Sequence, residues 1–320
     1  MPRLEFLSER TGFIGFSNWI SYFRIVGELE SSRLELTTVT ASGDVANPRG
    51  MLAAGGYLFV ADQGDRQDDA PGDMFSLDGS LLRFRLGDDG ELTDREVLIG
   101  QIPVGTELHG TNGLALGPDG LVYLSLGGTI SEVPDGVPNE EWLGTVLRFD
   151  FDAENIEIYA SGIRNIYDLE FDDAGRLWGV DNDGPTWRGF RAEEVVQIKE
   201  GANYGYPNEG THVPHEIRTD PPVWSYSGED VEGSAGIELA EKLGLNKGVF
   251  IGSRVLHFFR YDEDERGVFA AGDFDFQGTE VVFSRQGYFT VVEASEDDYL
   301  FVGVSGLSLN SALYVLDITD

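Results

Sequence analysis

The chain has 320 residues, of which 41% are hydrophobic, enough for one large core or two. Acidic residues outnumber basic ones 57 to 22, for a net charge of −35, and among the basic residues only Lys199, Lys242 and Lys247 are lysines. Such a field opposes nucleic acid and anionic membrane, and the absence of cysteine excludes disulfides and thiolate metal sites.

An acid excess of this size suits a halophilic setting, where salt screens the self-repulsion; the plainer alternative is an ordinary acidic protein. The N-terminal MPRLEFLSERTGFIGFSNWISYF lacks the basic start, continuous apolar stretch and cleavage site of a signal peptide. Its FIGFSNWISYF portion is too short and too polar to insert in a membrane. The expected location is the cytoplasm or a virus particle, unless a leader is missing. Residues 1–44 fit the later pattern least and read as a segment that docks an assembly partner or closes a blade; residues 45–320 read as a single domain.

From there short apolar runs alternate with acidic-glycine turns. NPRGMLAAGGYLFVADQGD is followed by GSLLRFRL, and HGTNGLALGPDGLVYLSLGG by GTVLRFDFD and IEIYASG. IRNIYDLEFDDAGRLWGVDNDG is followed by EEVVQIKEG; LNKGVFIGSRVLHFFRYDED, DDYLFVGVSGLS and SALYVLDI come later. Each unit offers three or four antiparallel strands and recurs every roughly 50 to 75 residues, which describes propeller blades. Five units stand out, and residues 13–45 with 267–285 are the candidates for a sixth. GIELAEKLGL at 236–245 is the best helix candidate.

His109 lies five residues before Leu114 in one of these units. Two readings stand: the base of an active site, or a strand-entrance histidine bonded to neighbouring backbone. His212 and His215, three apart in a proline-rich loop, lack an evident third metal ligand. His257 sits in an apolar strand, and Trp142, Trp178, Trp187 and Trp224 either stack on sugar rings or pack.

The stretches HGTNGLALGPDGLVYLSLGG, GTVLRFD, YASGIRNIYDLEFDDAGRLWGVDNDGP and EEVVQIKEGANYGYP resemble the soluble glucose/sorbosone dehydrogenase family. The likeness is dense over residues 107–207 and extends in layout over 45–320. It implies an all-β fold, a six-bladed β-propeller of four-stranded antiparallel blades, that binds pyrroloquinoline quinone (PQQ) and calcium and oxidises aldose sugars. By the same resemblance His109 takes the proton of the sugar's anomeric hydroxyl. Arg164 and Asn165 line the quinone and sugar pocket, Arg164 stabilising charge on the reduced quinone. Arg254 is the cation nearest to the place where the family has a quinone-binding lysine. Gly184 and Pro185 offer carbonyls and Glu193 a carboxylate to a calcium beside the quinone, while Glu194 and the carbonyl of Tyr204 belong to a second calcium.

Each assignment has a plainer counterpart: Arg164 pairs with Asp168 or Asp181, and the segment around Glu193 is a solvated acidic loop. Where the family carries an Arg-x-Arg pair on the quinone, this chain has Tyr288 and Thr290. The resemblance therefore leaves two main functions open. One is a PQQ- and calcium-dependent sugar dehydrogenase. The other is a non-catalytic propeller, an adhesin or virion surface component, that binds a glycan or protein partner. A lactonase-like propeller is a third reading without a distinctive residue set.

Overall fold

Glycine and acidic residues punctuate the apolar runs, and the runs are strands. The computed structural model describes residues 3–8, 10–16, 18–27, 33–64, 75–105, 109–129, 133, 135–185, 191–206, 224–227, 236–239, 248–252, 255–260, 280–284, 288–294, 299–305 and 311–317. The chain divides into two compact units, Met1–Tyr159 and Ala160–Asp320.

The first unit holds three antiparallel four-stranded sheets. One comprises β1 (Arg3–Ser8), β2 (Thr11–Gly15), β3 (Ile20–Val26) and β4 (Arg33–Thr38), hydrogen-bonded in chain order. The next comprises β5 (Pro48–Ala54), β6 (Tyr57–Asp62), β7 (Ser76–Leu86) and β8 (Leu92–Val104), again in chain order. The third comprises β9 (Thr111–Leu116), β10 (Val122–Leu126), β11 (Thr145–Phe149) and β12 (Glu157–Ser161), the last strand running across the boundary between the units.

Strand β6 explains how these sheets stack. Its run YLFVAD is apolar on both faces, as a strand covered on both sides requires. Leu58 and Val60 join Phe13, Ile20, Val45 and Met51 in one buried cluster. Phe59 and Ala61, pointing the other way, join Leu114, Leu124 and Leu147 in another.

In the second unit one sheet comprises β13 (Ile166–Phe171), β14 (Leu177–Pro185), β15 (Arg191–Ile198) and β16 (Trp224–Ser227). Another comprises β17 (Gly236–Leu239), β18 (Gly248–Gly252), β19 (Val255–Arg260) and β20 (Glu280–Ser284). The last, β21 (Tyr288–Ala294), β22 (Tyr299–Ser305) and β23 (Ser311–Asp317), has three strands among the described residues, where four were expected.

The acidic-glycine turns share one construction. In GDDG, GPDG and DDAG the closing glycine donates its N–H to the first residue's carbonyl (Gly90 to Gly87 3.1 Å, Gly120 to Gly117 2.9 Å, Gly175 to Asp172 2.8 Å). That glycine has positive φ each time (77°, 80° and 76°), a conformation that favours glycine there.

Three expectations are corrected. Residues 3–38 form a whole four-stranded sheet rather than a single docking or blade-closing strand, because three hairpins satisfy their backbone locally. Residues 13–45 and 267–285 are not halves of one unit: 13–26 belong to that first sheet, and 280–284 are the edge strand β20. Residues 267–279 lie outside the described residues. The helix candidate fails over Gly236–Leu239, which pairs residue for residue with β18, from Gly236↔Gly252 to Leu239↔Val249. Apolar Ile237 and Leu239, both buried, follow the strand period as readily as a helical one. No helix among the described residues is long and apolar enough to cross a membrane.

Candidate functional site

Three sheets enter their first strand by the same backbone bond. The N–H of a residue late in or just after the second strand donates to the carbonyl of the residue before the first. These pairs are Gln63 to Asn47 (3.0 Å), Gly127 to Gly110 (2.8 Å) and Asn182 to Asn165 (3.2 Å). The residues immediately upstream, Ala46, His109 and Arg164, therefore hold equivalent positions.

In two of the three sheets an aspartate late in the second strand clamps this entrance. Asp62 accepts the N–H of Ala46 and of Asn47, both at 2.7 Å, and that of Gly64 at 3.0 Å. Asp181 accepts the N–H of Arg164 at 2.9 Å and of Asn165 at 2.6 Å. In the β9–β12 sheet Leu126 takes the aspartate's place, opposite Thr111 as Asp62 is opposite Pro48 and Asp181 opposite Ile166. There the side chain of His109 makes a bond of its own.

His109 is 4% exposed, and its Nδ1 lies 2.9 Å from the carbonyl oxygen of Gly128. A carbonyl only accepts, so Nδ1 carries the hydrogen, and in the neutral ring Nε2 then carries the lone pair. The backbone bond of the plainer reading is present. It also sets the tautomer that a base acting through Nε2 requires.

In the second unit Arg164 donates from Nη1 to the carbonyl of Asn182 at 2.6 Å. Asp181, expected as an ion-pair partner of this guanidinium, accepts the Arg164 backbone N–H on its carboxylate. Asp168, the other candidate, accepts the N–H of Leu169 at 3.1 Å and of Ile237 at 3.4 Å. Asn165 is buried, and its carbonyl also receives Asn182 Nδ2 at 3.2 Å.

The residues proposed for calcium lie on the β14–β15 ladder and the loop after it. Asn182 pairs with Glu193 and Asp181 with Glu194; a bulge follows, and then Gly184 pairs with Ala192 and Pro185 with Arg191. Glu193 and Glu194 are 1% and 7% exposed, so this is no solvated acidic loop. Successive strand residues face opposite ways, so the two glutamates face opposite sides of the sheet. Buried Glu194 stands opposite buried Asp181. Like charges at that separation destabilise a sheet, and oxygen donors arranged so fit calcium. No three His, Cys, Asp or Glu side chains gather as a metal group among the described residues, so carbonyls are needed to complete a ligand set.

Tyr204 is anchored at both ends. Its N–H donates to Ser161 O at 2.9 Å and its hydroxyl to Gln197 O at 2.6 Å. The loop of GANYGY lies on Gly162, whose φ is +71° and where a Cβ would come within 2.2 Å of Asn203 Oδ1 and 2.4 Å of the Gly205 nitrogen. Gly162→Ala is therefore expected to cost at least about 2 kcal/mol in urea unfolding. An unchanged midpoint would mean that the loop yields.

Arg254, His212, His215 and Trp187 lie outside the described residues. His257 is in β19, opposite Ile251. Trp178 is packing: it is 1% exposed and donates Nε1–H to Asp172 at 2.9 Å. Sequence reasoning missed the clamps Asp62 and Asp181, although both stand at the same place in their aligned units (VADQG and GVDND). It also missed Arg49, Gln63, Thr111 and Asn112, all buried.

The comparisons with known proteins agree with this layout. In fold the chain is similar to a glucose dehydrogenase-type oxidoreductase of Thermus thermophilus, at 21% identity and a TM-score of 0.70, covering 98% of this chain and 95% of that one. It is likewise similar to the PQQ-bound aldose sugar dehydrogenase of Streptomyces coelicolor (17% identity, TM-score 0.67, 99% and 98% covered). The calcium structure of a Trichoderma reesei carbohydrate-active enzyme of family AA12 is a third (12% identity, TM-score 0.67, 99% and 92% covered). No curated protein matches the chain. The family model for glucose/sorbosone dehydrogenase matches residues 57–220, a span from β6 through β15 that includes His109, the Asp181 clamp and both buried glutamates. With just over half of its length inside that match, the chain belongs to the glucose/sorbosone dehydrogenase family.

Proposed function

We propose that the chain closes as a single six-bladed propeller and oxidises aldose sugars with PQQ and calcium, His109 serving as the base. The observation that carries this reading is the bond from His109 Nδ1 to the Gly128 carbonyl, which leaves the lone pair on Nε2. His109 accepts the proton of the anomeric hydroxyl there. When bound, the quinone supplies the two-electron acceptor for the hydride that leaves the same carbon. Arg164 and Asn165 hold the quinone, and the Asp181 clamp fixes their backbone beforehand, so less ordering is needed on binding. Glu193, with the carbonyls of Gly184 and Pro185, holds one calcium; Glu194 and the Tyr204 carbonyl hold the other. The Streptomyces relative's quinone and the Trichoderma relative's calcium support the choice of cofactors.

The test is a titration of the purified chain with PQQ in high salt and calcium. A saturable change in quinone absorbance at micromolar concentration is expected. No change would leave a propeller that binds glycans without turnover. Calcium alone is expected to raise the melting temperature, since a ligand of the native state stabilises it: at 100 times Kd the gain is about 2.7 kcal/mol. A melting curve that calcium leaves in place would remove the metal sites.

A further inference from the structure

The entrances at Ala46 and Arg164 are clamped by Asp62 and Asp181, whereas Leu126 stands at that place in the sheet that carries His109. Backbone from the end of β8 meets this entrance. Gly105, the first residue after β8, donates its N–H to the carbonyl of His109 itself at 2.7 Å. Gly105 also lies against the segment that receives the imidazole. A Cβ on Gly105 would come within 2.7 Å of Thr129 Cβ and 3.3 Å of the Gly128 carbonyl oxygen, the acceptor for His109 Nδ1. On the other side of Gly128, Gly127 donates its N–H to the carbonyl of Gly110 at 2.8 Å.

One glycine thus touches both ends of the His109 Nδ1 hydrogen bond, the backbone of the donor residue and the segment that holds the acceptor. Gly105 does not have the left-handed φ that favours glycine, so an alanine there meets no backbone strain of that kind. What opposes it is the contact. A methyl 2.7 Å from Thr129 Cβ is closer than real Cβ atoms approach, so either the His109 backbone or residues 128–129 must shift. The tautomer of a neutral imidazole follows the hydrogen bond that one of its nitrogens makes. Moving the Gly128 carbonyl away from Nδ1 therefore lets the hydrogen pass to Nε2 and removes the lone pair there.

We propose that Gly105 is a positioning residue for His109. By tying down the His109 backbone and leaving room for Gly128 and Thr129, it keeps the hydrogen on Nδ1 and the lone pair on Nε2. Its effect on rate rests on the reading of His109 as the base; its effect on the tautomer does not.

Nitrogen NMR of the full chain carrying isotope-labelled histidine, at a pH where the ring is neutral, reads the tautomer without sugar or quinone. The His109 signals are assigned by their loss in His109→Gln. The parent is expected to favour Nδ1–H about tenfold, and Gly105→Ala to shift that preference about tenfold toward Nε2–H, the worth of one ordinary hydrogen bond. Thr129→Gly, which takes away the atom that Gly105 faces and loosens the acceptor segment, shifts it less, and carries the test if Gly105→Ala does not fold. Combining the two substitutions should bring the preference back toward the parent, because the alanine methyl then occupies the space the threonine left. A general loss of stability would give no such rescue. An Nε2–H tautomer in the parent would overturn the proposal, as would the parent's tautomer persisting in folded Gly105→Ala, or in Thr129→Gly if only that variant folds. In quinone-loaded protein Gly105→Ala is expected to lower kcat by about tenfold to 10²-fold. A shifted tautomer with unchanged dye reduction would uphold the positioning by Gly105 and sink only the assignment of His109 as the base.

Discussion

His109→Ala is expected to lower sugar-dependent dye reduction by about 10²- to 10⁴-fold, the usual contribution of a positioned general base. Quinone affinity should stay within about threefold, because the imidazole is assigned to the sugar's proton and not to the cofactor. The fold should survive, since the replacement removes one side-chain bond, to the Gly128 carbonyl, at a cost of about 1 kcal/mol. Steady-state assays on quinone-loaded protein, with a melting curve as control, make the measurement. Activity within about threefold of the parent would place the base elsewhere and leave His109 as an entrance residue tied to its own sheet.

Asp181→Ala is expected to cost about 3 kcal/mol in urea unfolding. The carboxylate is 2% exposed and accepts the N–H groups of Arg164 and Asn165 at 2.9 and 2.6 Å. Removing it strands two donors in the interior, each costing about 1–3 kcal/mol. Asp181→Asn keeps one acceptor oxygen and should lose roughly half as much. The matching Asp62→Ala strands the N–H groups of Ala46, Asn47 and Gly64 and serves as the internal comparison. The two should differ in function: freeing Arg164 also weakens quinone binding, whereas Ala46 offers no side chain for that purpose. Equal quinone affinity in both variants would remove Arg164 from the cofactor's partners.

Much of the architecture was legible because two signals in the sequence are local. The alternation of apolar strands with acidic-glycine turns needs only near neighbours, and GDDG, GPDG and DDAG close in the same way. Residues 3–38 were harder. Their strands are short and include RLELTT, whose Leu34 and Leu36 are exposed, so the burial pattern that marks the other strands is weak. GIEL at 236–239 misled because four residues fit either period.

Among the candidate residues, His109, Arg164, Asn165 and the two glutamates were visible through the family likeness. The buried state of Glu193 and Glu194 was not, because acidity in sequence looks the same on a surface as in a sheet. Asp181 was seen only as a charge, whereas its work is to accept backbone N–H groups, an interaction that leaves no signature in residue type. Arg49 escaped notice since its position depends on a bulge and on an approach of β5 to β9 that spans some sixty residues of sequence.

The decisive experiment loads the purified chain with PQQ and calcium in high salt, then adds an aldose and an electron-accepting dye. Dye reduction should require sugar, quinone and calcium together and disappear in His109→Ala. Saturable quinone binding with no sugar-dependent reduction across neutral and acidic aldoses would contradict that expectation.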